Sequence, residues 1–282
     1  NQIFKSFIKF CDATISISSN VADKWADEIK EVKLNYILGT GVDYPLPVLK
    51  KIEPKAKYNL VYAGRLIERK GVLTLLEAYK KISDENHDTH LWILGDGELK
   101  QIMEEKIMEY NLQDKITMTG LISNPYDYFT MADICIFPSH KGDGLMGTIL
   151  ESMAAGKPVI TTTNNGNEDV ITNGDNGILI DPGNIEELAN TIKDLLTDEQ
   201  KRIAMGKKAK NFIEENVAWE KNIKKLLKFK HVVFKKHKHK FDSFLRRIDL
   251  KLVSFIKVVT PFYIFFKTNP YNLFIHFIFF LK

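Results

Sequence analysis

Cysteine is scarce. Cys11 and Cys135 are the only two in 282 residues, and each sits in an apolar stretch. Two thiols cannot build a disulfide scaffold or a four-ligand zinc site, so a reducing, cytosolic setting is the expectation. Long apolar runs are also lacking. In the last 62 residues the longest uncharged stretches are 258–266 and 268–281, and the second is interrupted by Asn269, Pro270, Asn272 and His276. A membrane-crossing helix needs about 20 apolar residues, so neither stretch qualifies. No Asp-x-Asp occurs, which leaves a metal-diphosphate site of that type without a candidate. Gly-x-Ser-x-Gly and P-loop patterns are missing as well. The histidines at 87, 90, 231, 237, 239 and 276 lack zinc-ligand spacing, and His140 stands alone beside Lys141. No metal is expected. The chain opens at Asn1 rather than Met, without a leader-like segment, which points to a partial chain.

What is present is an ordinary globular composition, 44% hydrophobic and 27% charged, which excludes disorder for the bulk. The net charge of +4 hides a polarised chain. Residues 221–282 hold 15 Lys/Arg against 2 acids and 12 of the 18 Phe, while the preceding 220 residues hold 25 against 34. An acidic body and a basic, aromatic tail need separate explanations.

Short apolar or β-branched segments alternate with helical patterns. Strands are expected at Ala13–Ile17, Tyr36–Leu38, Asn59–Ala63, His90–Leu94, Lys115–Thr119, Asp133–Phe137, Val159–Thr161 and Ile178–Ile180. Helices are expected at 20–30, 72–82, 99–110, 125–131, 148–155, 185–196 and about 199–215. Strands separated by single helices give a parallel sheet covered on both faces. Such a sheet binds ligands at the carboxyl ends of its strands. The cluster Gly39-Thr40-Gly41, Pro45, Pro47 and the Lys-rich stretch to Lys57 read as a linker.

Two strand tips carry candidate chemistry. After Ala63 comes Gly64-Arg65-Leu66-Ile67-Glu68-Arg69-Lys70-Gly71. Arg65, Lys70 and the N–H groups of the helix that follows suit a diphosphate. Read alone, they are equally two solvated cations beside Glu68. After Phe137 comes a loop with three glycines, Gly142, Gly144 and Gly147, carrying Asp143 and leading to Glu151. Carboxylates at such a tip accept hydrogen bonds from sugar hydroxyls. Read alone, Thr148-x-x-Glu151 is a capping box and Asp143 a turn residue. Gly95-Asp96-Gly97 lacks the third glycine of a dinucleotide fingerprint.

The combination is more specific than its parts. Tyr62-Ala63-Gly64-Arg65-Leu66, Lys70-Gly71, Ile93-Leu94-Gly95-Asp96-Gly97, Thr119-Gly120, Ala132-Asp133, Pro138-Ser139, Asp143-x7-Glu151, Ala154-Ala155-Gly156-Lys157-Pro158, Gly166-Asn167-Glu168 and Asn173-Gly174-x-Asn176-Gly177 follow in order over roughly 59–220. This resembles the donor-binding, carboxyl-terminal half of retaining GT-B glycosyltransferases of family 4. Residues 12–44, ending in Gly41-Val42-Asp43, resemble that family's crossover between domains.

The resemblance implies an α/β fold: a Rossmann-like parallel sheet with helices on both faces, one half of a GT-B fold, plus a basic aromatic-rich helical tail. It divides the chain into a remnant of the acceptor domain with its linker (1–47), the donor domain (48–217) and a crossover helix with tail (218–282). Gly64, Arg65 and Lys70 would hold the nucleotide diphosphate, and Glu151 the ribose hydroxyls. Asp143, as the catalytic carboxylate, would face the transferred sugar with Gly144, Leu145, Met146, Gly147 and Thr148. Leu121 and Ile122 would line the base pocket. The first carboxylate of the pair is usually Glu, and Asp143 is one methylene shorter. The reaction implied is retaining, metal-independent sugar transfer from a nucleotide-sugar, which is a substrate, so no cofactor is expected. The implied acceptor is a glycan or lipid-linked molecule, and the acceptor domain is expected to precede residue 1 or to come from a partner. A binding-only subunit is the rival reading. The tail matches no nucleic-acid-binding fold, so no nucleic acid is expected. Its lysines and phenylalanines suit an anionic membrane surface on the cytosolic side.

Overall fold

The computed structural model describes residues 13–16, 22–23, 26–30, 34–37, 41–85, 87–140, 146–163, 166–218, 220–225, 262–268 and 273–279. The chain divides into two compact units, residues 41–219 and residues 1–40 together with 220–282.

The second of these begins with β1 (Ala13–Ser16), α1 (Ala26–Ile29) and β2 (Leu34–Ile37). The larger unit then runs β3 (Tyr58–Ala63), α2 (Val72–Asp84), β4 (Thr89–Leu94), α3 (Lys100–Glu109), β5 (Ile116–Gly120), α4 (Tyr126–Met131), β6 (Ile134–Phe137), α5 (Gly147–Ala154), β7 (Val159–Thr162), β8 (Ile178–Ile180), α6 (Ile185–Thr197) and α7 (Glu199–Phe212). A π-turn over Ile213–Val217 follows. The smaller unit resumes in the sequence with β9 (Phe262–Thr268) and β10 (Leu273–Phe279).

The sheet of the larger unit is parallel throughout, in the order β5-β4-β3-β6-β7-β8. Apolar runs make its centre. Leu60–Ala63, Leu91–Leu94 and Ile134–Phe137 are all buried, as strands covered on both faces must be. The chain winds outward from β3 to β4 and β5, then returns to β6 and winds the other way. Right-handed crossovers therefore put α2 and α3 on one face and α5 on the other. Accordingly α2 packs against α3 and α6, while α5 packs against α4 and α7. Val72, Leu75, Leu76, Tyr79 and Ile82, spaced for one helical face, form the buried side of α2. The direction of winding changes between β3 and β6. In such sheets the ligand crevice opens at that switch point, beyond the carboxyl ends.

In the smaller unit the order is β10-β9-β1-β2, with β1 and β2 parallel and β9 antiparallel to both neighbours. Of the helical tail expected from the sequence, Phe262–Thr268 and Leu273–Phe279 are strands instead, while 226–261 lies outside the described residues. The reason lies in composition: Phe, Tyr and Ile favour the extended chain, and Asn269-Pro270-Tyr271-Asn272 between them carries turn residues. Residues 220–225 are helical.

Candidate nucleotide-sugar site

The carboxyl ends of β3, β4 and β5 are joined mainly by backbone, with one long side-chain bond from Thr119 Oγ1 to Ile93 O (3.4 Å). Gly64 N donates to Leu94 O (2.9 Å), Gly95 N to Gly120 O (2.8 Å), Leu66 N to Asp96 O (2.9 Å) and Leu99 N to Leu66 O (2.9 Å). Gly95 has φ +149°, and a Cβ there would stand 1.9 Å from Gly64 O. The Gly95-Asp96-Gly97 turn, which looks incidental in the sequence, is thus the buttress of the β3 tip. Its signal was a glycine directly after a buried strand.

The β3 tip also docks on the β6 tip. Gly71, in the left-handed region at φ +66°, separates a short 3-10 turn (Glu68–Lys70) from α2. A Cβ on Gly71 would lie 1.9 Å from Pro138 O. His140 N donates to Arg69 O (2.8 Å). The two loops singled out by the sequence therefore meet backbone to backbone at the switch point.

Lys70 is buried, and its Nζ lies 2.7 Å from Met146 Sδ. Ser139 Oγ points at the same sulfur from 3.7 Å. Met146 is the residue before α5, so the buried cation stands at the start of that helix as well as of α2. Both helix starts contribute unpaired N–H groups and partial positive charge. Arg65 is exposed on the same loop and makes no ion pair among the described residues. Its carbonyl accepts from Tyr62 Oη (2.9 Å), which fixes the loop it rides on.

Glu151 lies on α5 and is half-buried. Burial raises its carboxyl above the usual carboxylate range. The capping-box reading does not hold. The helix starts at Gly147 with Met146 as its N-cap and no side-chain cap, so Thr148 is already the second helical residue. Glu151 accordingly sits in the second turn rather than the first. Gly147 is exposed, and a side chain added there would meet nothing within 4 Å among the described residues. Ile122 is half-buried and Leu121 is 81% exposed beyond β5, at the far side of the tips. Asp143, Gly144 and Leu145 lie outside the described residues.

A parallel, doubly wound sheet with a buried lysine, an exposed arginine and two helix starts at its switch point defines a Rossmann-like domain built to take an anionic ligand. The chain belongs to the glycosyl transferases group 1 family, whose model matches residues 49–212. It is 32% identical over 164 residues to the 2-deoxystreptamine N-acetyl-D-glucosaminyltransferase of Niallia circulans, covering 57% of this chain and 42% of that protein. The fold is similar to that of the sucrose-phosphate synthase of Thermosynechococcus elongatus, with a TM-score of 0.72 at 22% identity over 83% of this chain and 61% of the other. It is also similar to Anabaena HepE, solved with UDP and glucose, with a TM-score of 0.67 at 19% identity over 76% and 61%. The chain spans about half the length of the curated relatives it matches. The GT-B expectation for the sheet and its helices is met by these neighbours.

Proposed function

We propose that residues 41–219 bind the nucleoside diphosphate of a nucleotide-sugar and serve in its transfer, with retention and without a metal, as in family 4. The observation that carries this reading is Lys70. It is a buried cation at the start of two helices, on the loop shared with Arg65. In transfer the diphosphate leaves as an anion. Cations and amide N–H groups already aimed at it stabilise that developing charge without reorganising. Glu151 accepts the ribose hydroxyls, Leu121 and Ile122 flank the base, and Asp143 with Gly144–Thr148 faces the sugar. The test is calorimetry of the chain with UDP, GDP and ADP. Each charge-assisted contact contributes about 1.5–3 kcal/mol. Arg65→Ala combined with Lys70→Ala should therefore weaken binding at least roughly a hundredfold. Unchanged affinity would overturn the assignment.

Binding and turnover separate in this proposal. The acceptor, a glycan or lipid-linked molecule, is held outside the donor unit, by an amino-terminal domain or a partner. Aligning acceptor with donor is worth about 7 kcal/mol or more of the barrier. The chain alone should bind donor and transfer poorly. Transfer at rates typical of complete enzymes would refute this.

We propose further that the tail attaches the protein to the cytosolic face of an anionic membrane. In the β9–β10 register, Phe262, Ile264 and Phe266 pair with Phe279, Phe277 and Ile275, so one face of the ribbon takes six apolar residues. Nine lysines in 221–240 precede it. Each lysine near such a leaflet adds about 1 kcal/mol. Co-sedimentation with anionic liposomes should be lost in a chain ending at Phe229. Equal binding by both chains, or none by the full chain, would count against it.

A further inference from the structure

The tip of β6, Phe137–His140, is tied down residue by residue. On the β3 side, Pro138 O presses on Gly71 and His140 N donates to Arg69 O. On the β7 side, Thr161 Oγ1 donates to Phe137 O (2.8 Å) and Thr162 Oγ1 to Ser139 O (2.5 Å). The β6–β7 ladder ends at Phe137 opposite Thr161, so Thr162 supplies by side chain a bond that the strand no longer makes. Asn167 holds the two threonines in turn. Its Nδ2 donates to Thr161 Oγ1 (3.1 Å) and to Thr162 O (2.8 Å). Ser139, Thr161, Thr162 and Asn167 are all buried.

A role in stability alone fits poorly. Asn167 Oδ1 is buried without a partner among the described residues, which costs free energy that an apolar residue would not. Buried groups left unsatisfied in a native fold call for another explanation. The chain of contacts supplies one. It runs from Asn167 through Thr162 to Ser139, whose hydroxyl approaches Met146 Sδ, where Lys70 Nζ also points.

We propose that Thr162 and Asn167 are positioning residues of the nucleotide-sugar site: by clamping Ser139 they set the distance between Lys70 and the start of α5. The proposal rests on the donor reading above. Displacing a contact by about 1 Å can cost up to a hundredfold, and a partial release costs less.

The test uses the full chain and the best-binding of UDP, GDP and ADP. Thr162→Val keeps the volume and removes the hydroxyl, and affinity should fall roughly tenfold. Thr162→Ser restores the hydroxyl and should restore affinity. Asn167→Asp removes both donated bonds and should act in the same direction. Thr89→Val is the comparison. It makes the same change at a buried threonine at the opposite end of the sheet, where the hydroxyl contacts Tyr79 Oη (3.3 Å). It should lower the melting temperature and leave affinity alone. A folded Thr162→Val that binds as tightly as wild type would overturn the proposal. So would a Thr89→Val that loses as much affinity. If the wild-type chain binds none of the three nucleotides, the donor reading fails and takes this proposal with it.

Discussion

At the amino ends of β3, β4 and β5, polar side chains close on one another. Asn59 Oδ1 accepts from Lys55 N (3.0 Å) and Trp92 Nε1 (3.1 Å), and its Nδ2 donates to Ala56 O (2.8 Å). Asn59 N donates to Asp133 Oδ2 (2.7 Å). Lys55 Nζ donates to Thr117 Oγ1, and Thr117 Oγ1 lies 2.8 Å from His90 Nε2. Tyr79 Oη donates toward Thr89 O and Lys115 O, both at 3.0 Å. At the carboxyl ends of these same three strands the bonds run mainly through backbone, at those of β6 and β7 through Thr161, Thr162 and Asn167, and some side chains are left over. Among the described residues Arg65 is exposed without an ion pair, and His140 Nε2 and Asn167 Oδ1 are buried without partners. One end of the sheet is finished by its own sequence; the other has bonding capacity for something else. Local rules are commonly broken at functional sites and kept elsewhere.

Joining the two tips backbone to backbone makes the carboxyl end intolerant at its joint. Gly71→Ala forces a side chain into the left-handed region and into Pro138 O. We expect about 4 kcal/mol of lost stability and no measurable nucleotide binding. Urea melts beside calorimetry check this. A stable, binding Gly71→Ala would mean that the tips do not meet as described.

Breaking the amino end should hurt stability only. Asn59→Leu removes an acceptor from Lys55 N and Trp92 Nε1 together, both of them held near the buried Asn59 and Trp92. Leaving such donors unpaired costs about 3 kcal/mol. Nucleotide affinity at an unfolding-free temperature should match wild type. A tenfold affinity loss would erase the contrast between the two ends.

Acid should act on the amino end first. Burial, with Lys55 alongside, holds the His90 imidazole down to about 4 from its ordinary 6.5. The unfolded chain then takes up this proton more readily than the folded one. Stability contributed by neutral His90 is complete above about 6.5 and is lost as pH falls toward about 4. The loss is on the order of 2–3 kcal/mol. His90→Gln should flatten that slope in acid melts. An unchanged slope would assign it to other groups.

The sheet was readable because its strands are apolar runs separated by one-face helices. Leu60–Ala63, Leu91–Leu94 and the α2 stripe leave little choice of element or side. The places of Arg65 and Lys70 after β3 and of Glu151 on α5 were readable because each follows an apolar strand, and the carboxyl ends of strands are where such a sheet binds. What holds those tips in place was not. The Gly95–Gly64 approach, the Gly71–Pro138 joint and the Thr162–Ser139 bond pair residues up to 67 positions apart, and they depend on strand order, which spacing along the chain does not carry. The β9 and β10 segments misled for a different reason. Phe, Tyr and Ile favour the extended chain, but the strand also needs a partner to pair with, and that partner, β1, lies some 250 residues earlier.

The smallest effect expected is also the one that sets the two ends most directly against each other. Burial lowers the affinity of His90 for its proton and raises that of Glu151. The signs of their stability slopes are therefore opposite. With its folded value raised, Glu151 binds its proton more readily in the folded chain. Its contribution is greatest in acid and declines as pH rises through the raised value. At neutral pH the half-buried carboxylate is then a cost, which the proposed ribose contact offsets when nucleotide is bound. Glu151→Gln keeps the shape and removes the charge. The variant should melt slightly higher than wild type at neutral pH and lose that advantage in acid. Its nucleotide affinity should fall roughly tenfold, because an amide oxygen accepts from a hydroxyl less strongly than a carboxylate. Stability and affinity thus move in opposite directions at this position, whereas at Asn59 only stability moves. A Glu151→Gln that weakens both together would make Glu151 a structural residue of α5 and leave the ribose hydroxyls to be held elsewhere.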